Sequence, residues 1–147
     1  MKPEEINIYR EIQKNAEMAV KAIETLEDKV YDKEFGRQIS RQALKYSDIR
    51  NKAVGRLLAA KAEPVQPNYL NDFVLKSSLH ANTFFNTSTG HLAELMIQGS
   101  NRGLTEMYKA LNHNAPLQTI QKSYALELAK EFMDFEEKSI GILKKYL

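Results

Sequence analysis

The sequence predicts an all-α protein: a bundle of four long helices, with a short helix crossing between the second and third of them. Three observations predict this. Gly is 6 and Pro is 4 in 147 residues, too few breakers for a sandwich of short strands. Apolar residues recur at alternating steps of four and three over stretches of roughly 24 to 31 residues, the period of helices packed at a shallow angle. Turn-forming residues cluster between those stretches and not within them. At 16.9 kDa the chain suits one domain with one core, spanning 1–147.

Pro3 followed by Glu4 and Glu5 makes a good first helical turn, because proline lacks a donor that is unpaired there anyway and acids suit the positive end of the dipole. From there Ile12, Ala16, Ala19, Ile23, Leu26 and Val30 form one seam, predicting a helix over roughly residues 4 to 30. A polar turn around Asp32 follows. Phe35, Ile39, Gln42, Tyr46, Ile49, Ala53, Leu57 and Ala60 repeat the pattern over about 34 to 61, so the first two helices should pair as an antiparallel hairpin.

Ala62-Glu-Pro-Val-Gln-Pro-Asn68 has two prolines in four residues, which stops the second helix and favours an extended linker. Tyr69, Leu70, Phe73, Val74, Ala81 and Phe84 then share one side of a shorter helix over roughly 69 to 85. His80 lies on its apolar side, where a lone histidine reads as a packing residue. Asn86-Thr-Ser-Thr-Gly90 ends it and supplies Ser88 or Thr89 as the next N-cap. A fourth helix is expected over about 89 to 112, and Asn112-His-Asn-Ala-Pro116 separates it from a fifth over about 116 to 146. If the short helix carries the chain from one end of the bundle to the other, the topology is the one-crossover, ferritin-like form. The fourth helix has apolar residues over half its circumference, and Gly99 and Gly103, four apart on that face, read as a notch for a close neighbour.

Ser88-Thr-Gly-His-Leu-Ala-Glu-Leu-Met-Ile-Gln-Gly-Ser100, with Gly103 and the earlier Lys14-Asn-Ala-Glu-Met18, resembles motifs of a group of small uncharacterised proteins from Gram-positive bacteria that are described as ferritin-like helical bundles. The resemblance implies a fold and no activity. One departure from the pattern lies in the second helix, where such relatives look acidic and this chain carries Arg37, Arg41, Lys45, Arg50, Lys52 and Arg56 with only Asp48 among them.

With Cys 0 there is no disulfide, thiolate zinc site or cysteine nucleophile, and any metal must be held by histidine and carboxylates. A carboxylate-bridged di-iron centre needs an inward Glu from each of two helices and a Glu-x-x-His pair from each of the other two. None of His80, His91 and His113 follows a Glu by three residues, so the set is absent. The candidate ligands for an iron or manganese ion are the reversed pair His91-x-x-Glu94, with Glu17 and Glu131. Helical-wheel arithmetic turns His91 and Glu94 about 150° from the centre of their apolar arc, toward water. Glu17 falls on a solvated face with Gln13 and Lys14, and Glu131 sits at an arc edge with Lys138 as a plausible partner. Acidic and imidazole groups are thus expected to face water, and no cofactor is expected. Gln42, central in its seam, reads as a hydrogen-bonding residue across the core. Arg50, only about 40° from that seam's centre, must snorkel or meet a carboxylate or anion.

Residues 1–34 carry six basic and nine acidic side chains, and 35–62 carry seven and one. Arg37, Arg41, Lys45, Lys52 and Arg56 form a stripe along the second helix that could contact phosphates, although no aromatic residues interleave it. Neutralising the acidic first helix, or an acidic patch of another subunit, is the simpler role. No nucleophile, nucleotide or metalloprotease motif is present, so an enzyme is not expected. Met-Lys-Pro-Glu-Glu does not suit a secretory signal, and no window holds about 18 uncharged apolar residues, which predicts a cytoplasmic protein without a membrane span. The functional expectation is a non-catalytic structural or interaction protein that self-associates through apolar surface on the fourth or fifth helix. Metal binding at a degenerate site and nucleic-acid association are the alternatives.

Overall fold

The computed structural model describes residues 1–66, 86–114 and 123–147. Among them the protein is all-helical: α1 (Pro3–Glu27), α2 (Lys33–Ala59), α3 (Thr89–His113), α4 (Tyr124–Leu143) and a terminal 3-10 turn (Lys144–Tyr146). The expected short helix over 69–85, with His80, lies outside the described residues, as do the opening residues of the last expected helix.

Each start has a local cause. Pro3 opens α1 with Glu4 and Glu5 in its first turn. The Asp32 carboxylate caps α2 by accepting from Phe35 N at 2.8 Å, and Ser88 caps α3 by accepting from His91 N at 3.3 Å. Ser123, in extended conformation at φ −96° and ψ 133°, caps α4 through Ala125 N. It places the start of α4 later than the periodicity suggested. α1 likewise ends three residues early, closing in turns in which Lys29 N donates to Leu26 O and Val30 N to Glu27 O, with Val30 Cγ1 3.5 Å from where a Cβ on Gly36 would stand. α2 closes with Ala62 N donating to Leu57 O and Lys61 N donating to Leu58 O, the Schellman arrangement, with Lys61 left-handed at φ 58°.

Contacts fix the directions of the helices. Glu34 and Phe35 at the start of α2 meet Tyr146, Tyr46 meets Glu136, and Arg56 near the end of α2 covers the ring of Tyr124. α2 and α4 are therefore antiparallel. Gly90 abuts the backbone of Tyr146 and Leu147 while Gly103 abuts Glu136, so α3 and α4 are antiparallel as well. It follows that α2 and α3 run the same way, and the chain between them joins opposite ends of the structure. α1 pairs along α2, and its start meets the end of α3 through an Asn7 to Asn114 hydrogen bond of 3.2 Å.

The core runs the length of the helices. Ile8, Ile12, Ile23 and Leu26 of α1 are buried in the same core as Phe35, Ile39, Ile49 and Leu57 of α2, Leu92 and Met107 of α3, and Leu128, Phe132 and Leu143 of α4. Each such side chain contributes about 1.5 to 3 kcal/mol by leaving water. No described helix is long and apolar enough to cross a membrane.

Candidate functional site

Within this core one set of polar groups is gathered from three helices. α4 exposes its seam to the interior through Ala125, Leu128, Ala129, Phe132, Glu136, Ser139 and Leu143, and the fifth of these is an acid. Glu136 is 2% exposed. Its Oε1 accepts from the Tyr46 hydroxyl of α2, and its Oε2 lies where a Cβ on Gly103 of α3 would have to stand. The Tyr46 ring is held between Phe132 at 6.3 Å and Phe135 at 4.9 Å, edge-on to the latter. The hydroxyls of Ser100 and Ser139 face the Tyr46 oxygen and favour its ionised form, but burial and the adjacent carboxyl outweigh them and drive the phenol far above its ordinary value. Burial also pushes the Glu136 carboxyl up to about 7, against the opposing pull of the Tyr46 hydrogen bond. The result is a buried acid whose protonated form is favoured by its surroundings, beside a phenol that stays neutral.

Gln42 sits one turn before Tyr46 on the same seam. It is 2% exposed, and neither its amide nitrogen nor its amide oxygen has a hydrogen-bond partner among the described residues. This corrects the expected bond across the core. The Ser139 hydroxyl, fully buried, also lacks a well-formed hydrogen bond.

The sequence-derived candidates fall in separate surroundings. His91 Nδ1 and Glu94 Oε2 are 3.9 Å apart, with the histidine side chain 21% exposed and the glutamate 58%. The histidine is thus more covered than its wheel position implied. Glu17 is half-buried and accepts from Gln13 Nε2 at 3.1 Å. Glu131 is bound not by Lys138 but by Lys45 at 2.6 Å and Lys52 at 3.2 Å, and the Lys45 hydrogen bond first, then that of Lys52, holds its carboxyl below the usual range. Among the described residues no three histidine or carboxylate side chains gather as a metal-binding group. The interior set does not fit a di-iron centre either. α4 offers Glu136-x-x-Ser139, with serine where histidine is needed, and α3 offers Ser100 and Gly103 at the same spacing with no ligand of either kind.

Three members of the basic stripe are engaged with α4. Lys45 and Lys52 clamp Glu131 of α4, Lys52 also pairs with Asp48 at 3.1 Å, and the Arg56 guanidinium lies 3.9 Å above the Tyr124 ring. Arg50 forms no ion pair with a carboxylate among the described residues: its Nε and a terminal nitrogen donate to Asn51 Oδ1 at 3.3 Å. Arg37 and Arg41 remain exposed. An open hollow of about 360 Å³ at the α1–α2 turn, lined by Glu27, Val30, Tyr31, Asp32, Lys33 and Gly36 among others, brings no converging polar groups to one point.

Glu136 went unread in the sequence although the signal was present. The steps 125, 129, 132, 136, 139, 143 alternate four and three, which puts position 136 inside the seam. The chain matches no protein-family model, and neither a curated protein nor a solved structure matches it.

Proposed function

We propose that the chain is a ferritin-like helical bundle acting as a non-catalytic structural or interaction protein that associates with further copies of itself through apolar side chains left on its outer faces. The parallel run of α2 and α3, which demands one long crossover, supports the ferritin-like topology. The observation that carries the association is the exposure of large apolar groups on helices: Leu44 at 73% and Leu58 at 60% on α2, and Tyr108 at 51% on α3. Leu44 and Leu58 are fourteen residues apart and therefore share a face, with Asn51 midway. Such side chains gain about 1.5 to 3 kcal/mol each when a partner covers them. Support for this reading over metal binding comes from the donor set, since Glu131 is committed to two lysines and, among the described residues, no group of three histidine or carboxylate side chains includes the interior acid. Support over nucleic-acid binding comes from the stripe, three of whose five cations are engaged within the fold.

Sedimentation equilibrium tests the proposal. The wild-type chain should show a mass that is a multiple of 16.9 kDa, and Leu44→Glu/Leu58→Glu or Tyr108→Glu should reduce it to the single-chain value. A wild-type protein that stays at the single-chain mass at every concentration would sink self-association. Stoichiometric iron or manganese in untagged protein, lost in His91→Ala or Glu94→Ala, would transfer the case to the metal reading.

A further inference from the structure

The buried polar cluster is incomplete as a hydrogen-bonded unit, and its geometry says what completes it. Phe35 packs on Tyr146, Tyr46 on Glu136 and Arg56 on Tyr124, so each step forward along α2 is a step back along α4. That register sets Gln42, one turn before Tyr46, level with Ser139, three residues after Glu136. Gln42, whose amide has no partner among the described residues, and Ser139, whose hydroxyl faces the Tyr46 oxygen without a well-formed hydrogen bond, therefore stand opposite each other across the α2–α4 interface, next to the Tyr46–Glu136 pair. We propose that an internal water molecule, held between Gln42, Ser139 and the Tyr46–Glu136 pair, is a resident ligand of this fold and joins α2 to α4.

The chemistry of the groups selects water over other guests. The Gln42 amide presents an unmatched donor and an unmatched acceptor, so its guest must both accept and donate. A bare cation would answer the oxygens of Gln42, Ser139 and Glu136 and leave the amide nitrogen without an acceptor. An apolar guest would answer none of them. Water meets two to four polar partners at once, which is the number this site supplies, and buried sites of this polarity hold it as part of the structure. Held there, the water would extend the hydrogen-bonded chain in which the Ser139 hydroxyl faces the Tyr46 oxygen and Tyr46 donates to the Glu136 carboxyl.

Oxygen-17 magnetic relaxation dispersion of the full chain counts long-lived internal waters, and a high-resolution crystal structure locates them. The wild type should show a water within hydrogen-bond reach of Gln42 and Ser139. Gln42→Leu should lower the dispersion amplitude by the equivalent of one water, and Ser139→Ala should lower it in the same direction if Gln42→Leu fails to fold. A crystal in which the Gln42 amide bonds Ser139 Oγ directly, anomalous or ion density at the site, or an amplitude unchanged in both variants would overturn the proposal.

Discussion

Glu136 is an acid whose folded environment favours the proton. Its carboxyl, ordinarily near 4.5, is raised to about 7 by burial, so between those values the folded chain binds a proton that the unfolded chain has released. Stability therefore falls as pH rises from about 4.5 to about 7 and levels off above, by about 3 kcal/mol for a shift of this size. Glu136→Gln keeps an acceptor for the Tyr46 hydroxyl and removes the ionisation. Urea unfolding should show the variant more stable than wild type above about pH 7, with the gap closing as the pH is lowered toward 4.5. A gap that does not change with pH would mean that Glu136 does not titrate in this range. Beside it, the two glycines first read together as one notch separate into opposite cases. Gly99 is exposed, and a Cβ there would meet nothing within 4 Å. Gly103 is buried against the Glu136 carboxyl. Gly99→Ala should stabilise by about 1 kcal/mol through helix propensity alone. Gly103→Ala should lose that gain and cost about 1 to 3 kcal/mol more through overpacking. Equal effects in thermal melts of the two variants would show that the carboxyl does not occupy the space beside Gly103.

At the scale of the elements, the end of α2 carries a strain that can be relieved. Lys61 holds the left-handed position of a Schellman cap at φ 58°, where a side chain costs about 1 kcal/mol or more and glycine costs nothing. Lys61→Gly should raise the denaturation midpoint by an amount worth about 1 kcal/mol, with the slope against urea unchanged. The helices themselves were legible because each of α1 and α2 buries a regular seam, and a period of three and four survives whatever partner covers it. What lay outside local reach was anything decided by another segment. Gln13 has an outward wheel position, yet it is 3% exposed, because the strand of chain after α2 folds over it and Val65 exchanges hydrogen bonds with its amide at 2.8 and 3.0 Å. Arg10 holds the same segment through Glu63 O at 3.0 Å. Glu131 could not reveal its lysines for the same reason, since they stand seventy-nine and eighty-six residues away. Glu136 differs from these. Its inward position was readable from spacing, but its partner Tyr46, ninety residues distant, was not.

For the whole molecule, the decisive property is the order of helix directions, and it rests on contacts at both ends. Glu34, Phe35 and Gly90 gather around Tyr146 at one end, while Tyr9 and Arg56 gather around Tyr124 at the other. The starts of α2 and α3 thus share an end, which an up-down-up-down bundle with short loops forbids. The absence of cysteine lets this be measured with spin labels placed at will. Ser40, Leu58 and Glu94 are exposed, so each accepts a label without entering the core. Positions 40 and 58 on α2 differ by about 27 Å along the helix axis at 1.5 Å per residue. With α2 and α3 parallel, pulsed electron resonance on Ser40→Cys/Glu94→Cys should give a distinctly shorter distance than on Leu58→Cys/Glu94→Cys. An alternating bundle would reverse that order, because the start of α3 would then stand beside the end of α2. The reversed order would break the register that places Gln42 opposite Ser139, and with it the site built around Glu136.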